Sequence, residues 1–476
     1  MMQQVYKIYI GGEFCPTNTK LKVFNPFDHS IVAETYLAGK DELEKAIEKA
    51  LIVKPIMRDL PSYKKYTILM QIANQLEEKS NELALILARE AGKPFKYALG
   101  EINRAIQVFT VAAEESKRLP KEYISIDWTA AGEKKEGLVK YFPLGLIAGI
   151  APFNFPLNLA VHKIAPAIAS GNAIIIKPAR STPLSVLELA KIIDQTGLPK
   201  GAFSVLPMDR EAGNQLVTDE RIHMLSFTGS PNVGWKMKAN AGKKKIALEL
   251  GGNAGVIVSE QADLDLAVKK CLVGGFAYSG QVCIHVQRIM VHEKVFDTFV
   301  DKFIAGTQML TFGAPDKETT DISVMIDEDN ARRVEDWVNE AVSEGAKILF
   351  GGKRKGSFFE PTIMTNTKRE MKVCALEIFG PVVTIEKFSD FSQAVDMIND
   401  SEYGLQAGVF TNSIIEMNYS FNELEVGGVI INDVPTFRVD HMPYGGIKNS
   451  GFGREGVKYT IQEMMEPRLL VKNTNY

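Results

Sequence analysis

Three stretches decide the fold class: Leu144-Gly145-Leu146-Ile147-Ala148-Gly149-Ile150-Ala151, then Pro152-Phe153-Asn154-Phe155-Pro156, then Ala173-Ile174-Ile175-Ile176-Lys177. The first and last are short apolar runs closed by proline turns, as expected of strands buried on both faces. The run 157–170 between them reads as a helix. The alternation continues with a helix over 183–194, a strand at 203–206, a helix at 211–218, a strand at 222–227, a helix at 231–239 and a strand at 245–250. Short apolar strands spaced by helices of about ten residues form βαβ units on a parallel sheet. Ligands on such sheets bind beyond the carboxyl ends of the strands.

Upstream, residues 6–10, 21–24 and 31–35 read as short strands between polar and Gly/Pro turns. Segments 41–57, 61–78, 81–91 and 94–118 carry helical periodicity. The charged stretch 121–142, alternating around Gly132 and Gly137, reads as an exposed hairpin. Downstream, a Leu-Gly-Gly hinge at 250–252 opens a second α/β series. It has a helix from 263 to 278, a strand at 286–292, helices at 294–309 and 328–344, a strand at 381–387, a helix at 391–399 and strands at 406–411 and 428–431. The tail 468–473 is a lone strand-like run with no local partner, expected to pair with the hairpin of another subunit.

A chain of 476 residues is too long for one core and implies two or three domains. With 45% hydrophobic and 24% charged residues it has the composition of an ordinary globular protein. The net charge of -3 gives no basic face for nucleic acid. Four cysteines (Cys15, Cys271, Cys283 and Cys374) are too few for a disulfide framework and point to a reducing compartment. No signal peptide is evident in residues 1–10, and no run within 144–176 approaches the roughly 20 apolar residues of a membrane helix. The expectation is a cytoplasmic protein with no membrane partner.

Five strand-end turns carry the candidate chemistry. Asn154, stiffened between two aromatics and two prolines, can donate a preorganised hydrogen bond to an oxyanion, or else cap the next helix. Lys177 at a strand end suits a ribose hydroxyl or a phosphate; the alternative is a solvated lysine. Gly229-Ser230 before Pro231 puts a helix N-terminus where a pyrophosphate would bind, although the GxGxxG fingerprint is absent. Glu249, ahead of Gly251-Gly252, can swing as a general base or lie idle in a hinge. Glu377-Ile378-Phe379-Gly380-Pro381 adds a carboxylate before a buried strand.

Cys283 lies in Ser279-Gly280-Gln281-Val282-Cys283-Ile284-His285, behind a flexible glycine turn rather than inside an apolar element. That placement leaves a catalytic and a packing role both open. Zinc is excluded because Cys283 and His285 have no second Cys/His pair at ligand spacing, so no metal site is expected. A cysteine protease is disfavoured because none of the six histidines has a family-like surround.

Taken in order, and with the late turns Gly427-Gly428-Val429-Ile430-Ile431-Asn432-Asp433 and Pro443-Tyr444-Gly445-Gly446-Ile447-Lys448-Asn449-Ser450-Gly451, these motifs resemble the aldehyde dehydrogenase superfamily over nearly the whole chain. The resemblance implies an α/β architecture with a Rossmann-like NAD(P)-binding domain (1–119 and 143–250) and an α/β catalytic domain (251–450). A small β oligomerisation domain (120–142 and 451–476) would build a homodimer or homotetramer. It assigns Cys283 as nucleophile, Asn154 as oxyanion donor and Glu249 as general base. Lys177 would meet the adenosine ribose, Gly229 and Ser230 the pyrophosphate, and Phe153, Glu377 and Phe379 the nicotinamide side.

One departure bears on the cofactor. Arg180 stands where NAD-preferring members often carry glutamate, so NADP is expected to be accepted alongside NAD, unless Arg180 faces solvent. The segment 432–443 is similar to the branch holding lactaldehyde and non-phosphorylating glyceraldehyde-3-phosphate dehydrogenases. In that branch, cations matching Arg104, His162 and Arg438 can face the far end of the aldehyde; Arg104 is equally readable as a solvated helix residue. Val282, where phosphate-using relatives carry arginine, favours a short polar aldehyde such as lactaldehyde over glyceraldehyde 3-phosphate or phosphonoacetaldehyde. A CoA-acylating enzyme is disfavoured by Glu249, and a silent binding protein by the intact Cys283, Asn154 and Glu249 set.

Overall fold

The computed structural model describes residues 4–474; residues 1–3 and 475–476, at the ends of the first and last expected segments, lie outside it. The alternation that starts at Leu144 builds an eight-stranded sheet. Its order is Glu13–Cys15, Ile8–Ile10, Phe203–Val205, Ala173–Lys177, Leu146–Ile150, Met224–Thr228, Lys245–Glu249 and Gly451–Phe452. The five strands from Phe203–Val205 to Lys245–Glu249 are parallel. Strand order reverses between Leu146–Ile150 and Met224–Thr228, so a crevice opens beyond their carboxyl ends. Asn154 and Ser230 leave the sheet on its two sides.

A second sheet of seven strands runs Lys347–Phe350, Thr362–Thr365, Val382–Phe388, Arg288–His292, Gly255–Val258, Gln406–Phe410 and Gly428–Ile431. It is parallel except at its first strand. This is the expected second α/β unit. Its fifth strand, Gly255–Val258, is not among the elements read from sequence, where the glycines just before it mark only a hinge.

The helix Pro156–Ser170 is buried at every residue. Its largely apolar circumference favours that placement, and Asn158, His162 and Lys163 are carried into the interior with it. Proline starts it, and Gly171 at φ +86° ends it. The helix Phe95–Ser116 packs along one side of it, and Val457–Glu463 along another.

Two expectations need correction. The tail strand Met465–Asn473 pairs antiparallel with Lys135–Pro143 of its own chain, from Met465 opposite Pro143 to Asn473 opposite Lys135. Lys121–Ser125 completes this three-stranded sheet. The partner is distant in sequence, which is why the tail looked unpaired. Residues 451–464 do not join that β unit: Gly451–Phe452 edges the first sheet, and Val457, Ile461 and Met464 enter its core. This packing carries Glu455 into the interior. Among the described residues no helix is long and apolar enough to cross a membrane.

Candidate active site

The turn after Leu146–Ile150 buries Asn154, whose amide Nδ2 donates to the Gln281 carbonyl at 3.0 Å. That contact ties the first sheet to the segment carrying Cys283. The segment is not the flexible hinge its sequence suggested. Tyr278, Ser279 and Gly280 adopt left-handed backbone at φ +49°, +53° and +69°, and all three are buried. Two consecutive non-glycine residues in that region cost of order 1–3 kcal/mol each. Surrounding bonds hold them there: the Tyr278 hydroxyl donates to the Ala91 carbonyl (2.9 Å), the Ser279 hydroxyl to the Ser323 carbonyl (2.7 Å), and the Ile326 N–H to Gln281 Oε1 (2.9 Å). Gly280 is required because a Cβ there would run into the Gly380 carbonyl.

Cys283 is half-buried, with Sγ 3.3 Å from the Tyr444 hydroxyl. Burial pushes its thiol up to about 11, while the Tyr444 hydrogen bond and the Arg438 charge pull the other way. Cys271, by contrast, is fully buried and pushed up, and Cys374 donates to the Thr367 hydroxyl at 3.2 Å.

Glu249 ends the strand Lys245–Glu249, buried, with Oε2 lacking any hydrogen-bond partner. Burial and then the Glu455 charge raise it well above the usual carboxylate range, against Arg438, Lys163 and Arg454. Such a carboxyl has a high proton affinity, the property of a general base working near neutrality. Glu377 Oε1 accepts the Gly252 N–H at 3.0 Å, and burial pushes its carboxyl to about 7. Phe379 sits at φ +44° with its ring edge-on to Phe153, centroids 5.8 Å apart. Phe153, Glu377 and Phe379 thus come together from two sheets.

Beyond the first sheet lies a cavity of about 760 Å³, lined by Lys177, Arg180, Asp209, Arg210, Gly213 and Lys236 among others. Gly213 lies against the Lys177 side chain, where a Cβ would stand 2.9 Å from Cε and the flexible lysine would have to shift. Burial and the neighbouring Arg180 charge lower the Lys177 ammonium. Asp209 is committed to capping the helix Arg210–Thr218 through the Ala212 N–H at 2.9 Å. Ser230 precedes the helix Pro231–Asn240 without capping it, leaving its first-turn amides and dipole for an anion. Cationic lining and an uncapped helix start fit a dinucleotide phosphate.

The family model described as aldehyde dehydrogenase family matches residues 14–470. The chain belongs to that family. This aldehyde dehydrogenase is 44% identical over 470 residues to a 3-sulfolactaldehyde dehydrogenase of Priestia aryabhattai, covering 98% of both chains. It is 40% identical to a lactaldehyde dehydrogenase of Methanococcus aeolicus, covering 98% of this chain and 100% of that one. Among solved structures, glyceraldehyde-3-phosphate dehydrogenase GapN of Methanocaldococcus jannaschii complexed with NADP superposes with a TM-score of 0.92 at 41% identity, covering 96% of this chain and all of that one. The enzyme is an NAD(P)-dependent oxidoreductase of the aldehyde dehydrogenase type.

The structure does not leave the three expected substrate cations of this dehydrogenase free. Arg104 grips Asp440 with both ends of its fork, Nη2 at 2.6 Å from Oδ1 and Nε at 3.2 Å from Oδ2. His162 is fully buried, with Nε2 2.8 Å from the same Oδ1. Burial and then the Arg438 charge lower the His162 pKa. Burial pushes Asp440 up, but His162 and Arg104 overcome it and hold the carboxyl far below its usual range. Arg438 lies 3.6 Å over the Tyr444 ring and donates to Glu455 Oε2 at 3.0 Å. Glu455 also receives Lys163 (3.2 Å), which donates to the Thr228 hydroxyl as well (2.7 Å).

Sequence reasoning missed Tyr444, Asp440, Glu455, Lys163 and Asn158. The one available signal was the presence of Asn158 and a charged Lys163 inside a largely apolar helix. Asn158, one helical turn before His162, is fully buried with both amide atoms unpartnered, and His162 Nδ1 is unpartnered as well.

Proposed function

We propose that this aldehyde dehydrogenase oxidises a short, hydroxylated aldehyde carrying at most one negative charge, with lactaldehyde and its singly charged analogues as the substrate class. The observation that carries this is charge pairing. Both arginines expected to anchor the substrate already hold a buried carboxylate, Arg104 with Asp440 and Arg438 with Glu455. A dianionic phosphate would find no uncompensated cation there, and Val282 adds none. Unpartnered polar atoms on Asn158 and His162 would instead meet a hydroxyl, since buried polar groups left bare cost about 1–3 kcal/mol. The names of the sulfolactaldehyde and lactaldehyde relatives support the same class.

In this reading Cys283 attacks the carbonyl carbon as the thiolate. The second amide hydrogen of Asn154 and the Cys283 backbone N–H hold the developing oxyanion. Phe153, Glu377 and Phe379 would hold a nicotinamide, which would supply the two-electron oxidant by accepting the hydride lost from the former aldehyde carbon as the thioester forms on Cys283. Glu249 then takes a proton from water, which hydrolyses the thioester to the acid and spares any need for CoA. The first-sheet unit binds the cofactor, the second carries the thiol, and the three-stranded sheet assembles copies. Supporting that assembly, Leu469, Leu470 and Val471 are about half exposed on an unpaired edge. Whether the homo-oligomer is a dimer or a tetramer is read by sedimentation. Four free cysteines accord with a cytoplasmic location.

The test is an initial-rate panel of lactaldehyde, glyceraldehyde, glyceraldehyde 3-phosphate, phosphonoacetaldehyde and a plain aliphatic aldehyde, each with NAD and NADP. Highest kcat/KM for hydroxylated members with no or one charge is expected; a preference for glyceraldehyde 3-phosphate would overturn the charge argument. The cationic cavity supports NADP as an accepted cofactor. Arg180→Glu should lower kcat/KM for NADP relative to NAD by about tenfold or more, the scale of one lost charge-assisted hydrogen bond. An unchanged ratio would remove Arg180 from cofactor choice.

A further inference from the structure

The geometry points to Tyr444 as a positioning residue that donates its hydroxyl hydrogen to the Cys283 thiolate, with Arg438 stacked on its ring to strengthen that donation. The inference rests on Cys283 being the nucleophile and concerns how its thiolate is made available in a pocket without a histidine base. His285, two residues on, is buried with Nε2 on the Gly275 carbonyl at 2.9 Å, and burial lowers it to about 4, so it is neutral and occupied.

The groups facing the thiol are few. Glu377 and Glu249 oppose its ionisation; Tyr444 and Arg438 favour it. Of these, only Tyr444 touches sulfur, at 3.3 Å. Its own surroundings are Cys283, Arg438 and Glu249, and burial raises its phenol well above the usual range. Tyr444 therefore keeps its proton through the working pH range and acts as a donor, not an acid. The thiol proton leaves to water, the S–H bond breaks heterolytically, and the resulting thiolate accepts the Tyr444 O–H.

Arg438 makes this donor unusual. Its guanidinium carbon is 3.6 Å above the Tyr444 ring, and the side chain is only 5% exposed. A desolvated cation on the ring face draws electron density from the phenol oxygen and makes the O–H a better donor. The stack is held at both ends. Glu455 Oε2 takes the guanidinium, and the Glu455 backbone exchanges two hydrogen bonds with that of Tyr444 (3.0 and 2.6 Å). One residue thus fixes both the cation and the ring beneath it.

The experiment is alkylation of the full-length enzyme by iodoacetamide as a function of pH, without aldehyde, read on the Cys283 peptide by mass spectrometry so that Cys15 does not contribute. Tyr444→Phe should slow alkylation near neutral pH about tenfold or more and move its midpoint upward by about one unit or more, the scale of a lost hydrogen bond to a charged group. A profile overlaying that of the wild type overturns the proposal. Should Tyr444→Phe fail to fold, 3-fluorotyrosine at position 444, a stronger donor, should move the midpoint downward, and an unmoved midpoint is equally fatal. Arg438→Lys keeps a cation for Glu455 but loses the flat stack; it should shift the midpoint in the same direction as Tyr444→Phe by less, and no shift overturns the role of Arg438. Aldehyde oxidation retained by a Cys283 variant would instead fail the nucleophile assignment, and the alkylation profile is independent of that outcome.

Discussion

Cys283→Ala is expected to lower aldehyde oxidation by at least about 10⁴-fold, the scale seen when a covalent nucleophile is removed. The other cysteines offer no substitute. Cys271 is fully buried, Cys374 is buried against Thr367, and Cys15 lies on the edge strand Glu13–Cys15 of the first sheet. Only Cys283 shares a neighbourhood with the Asn154 amide, through Gln281, and with Glu249 and Glu377. Because the thiol is half-buried and makes one side-chain hydrogen bond, thermal unfolding and NADP binding should change little. The measurement is NAD(P)H production at saturating aldehyde; activity within tenfold of the wild type would sink the assignment. In the unsubstituted enzyme the pH dependence has a definite sign. A thiol pushed to about 11 is mostly protonated at neutral pH, so its thiolate fraction, and kcat/KM with it, should rise with pH by up to about tenfold per unit. Glu249, raised well above the usual carboxylate range, titrates in the same sense because a general base must be ionised to work.

Glu101→Ala should cost about 3–5 kcal/mol of stability, the penalty for stripping the partner from a buried charge. Glu101 and Lys93 form an ion pair with both side chains fully buried. Glu101 Oε1 also accepts the Leu157 and Asn158 N–H groups, each at 3.0 Å, and so caps the helix that follows Asn154. The Lys93 ammonium lies 3.9 Å from the Phe155 ring centroid and 4.5 Å from that of Tyr278. Those rings belong to the two segments that the Asn154–Gln281 bond joins. Loss of the carboxylate would leave an isolated ammonium and two bare amides behind the oxyanion donor, so kcat should fall along with stability. Urea unfolding followed by fluorescence checks the first effect and initial rates the second. The double variant Lys93→Met with Glu101→Gln, which removes both charges, should recover a substantial part of the loss. An unchanged urea midpoint for Glu101→Ala would mean the pair contributes nothing net.

Much of this architecture was legible in local pattern. A strand buried on both faces must be apolar throughout and must be followed by a crossover, so the alternation from Leu144 to Leu250 sufficed to read a parallel sheet. In such a sheet the carboxyl ends of the strands lie on one side by construction. That is why the alternation alone places Asn154, Lys177, Gly229-Ser230 and Glu249 on one rim of the sheet. Cys283 and Glu377 stand out in their own segments, but the roles of Cys283, Glu377 and Phe379 needed the family resemblance, since nothing local ties their turns to the first sheet.

Local pattern also misled where its meaning depends on distant partners. Ser279-Gly280-Gln281 has the composition of a flexible hinge, yet packing against Gly380, Ser323 and Ile326 locks it. The tail strand appeared to need another subunit because its partner, Lys135–Pro143, is remote in sequence. Arg104, His162 and Arg438 appeared as free cations because their carboxylates, Asp440 and Glu455, arrive only when the late loop and the helix Val457–Glu463 dock on the first domain.

The sequence by itself determined the two α/β units, the strand-end turns and the chemical types gathered there. These follow from periodicity and backbone preference, which are properties of neighbouring residues. Only the tertiary structure decided which charges are neutralised, that Tyr444 meets the thiol, and that the tail folds back on its own chain. Burial of a charge and pairing of a strand are settled by long-range contacts, and their free energy depends on desolvation and partner geometry that no stretch of sequence carries alone.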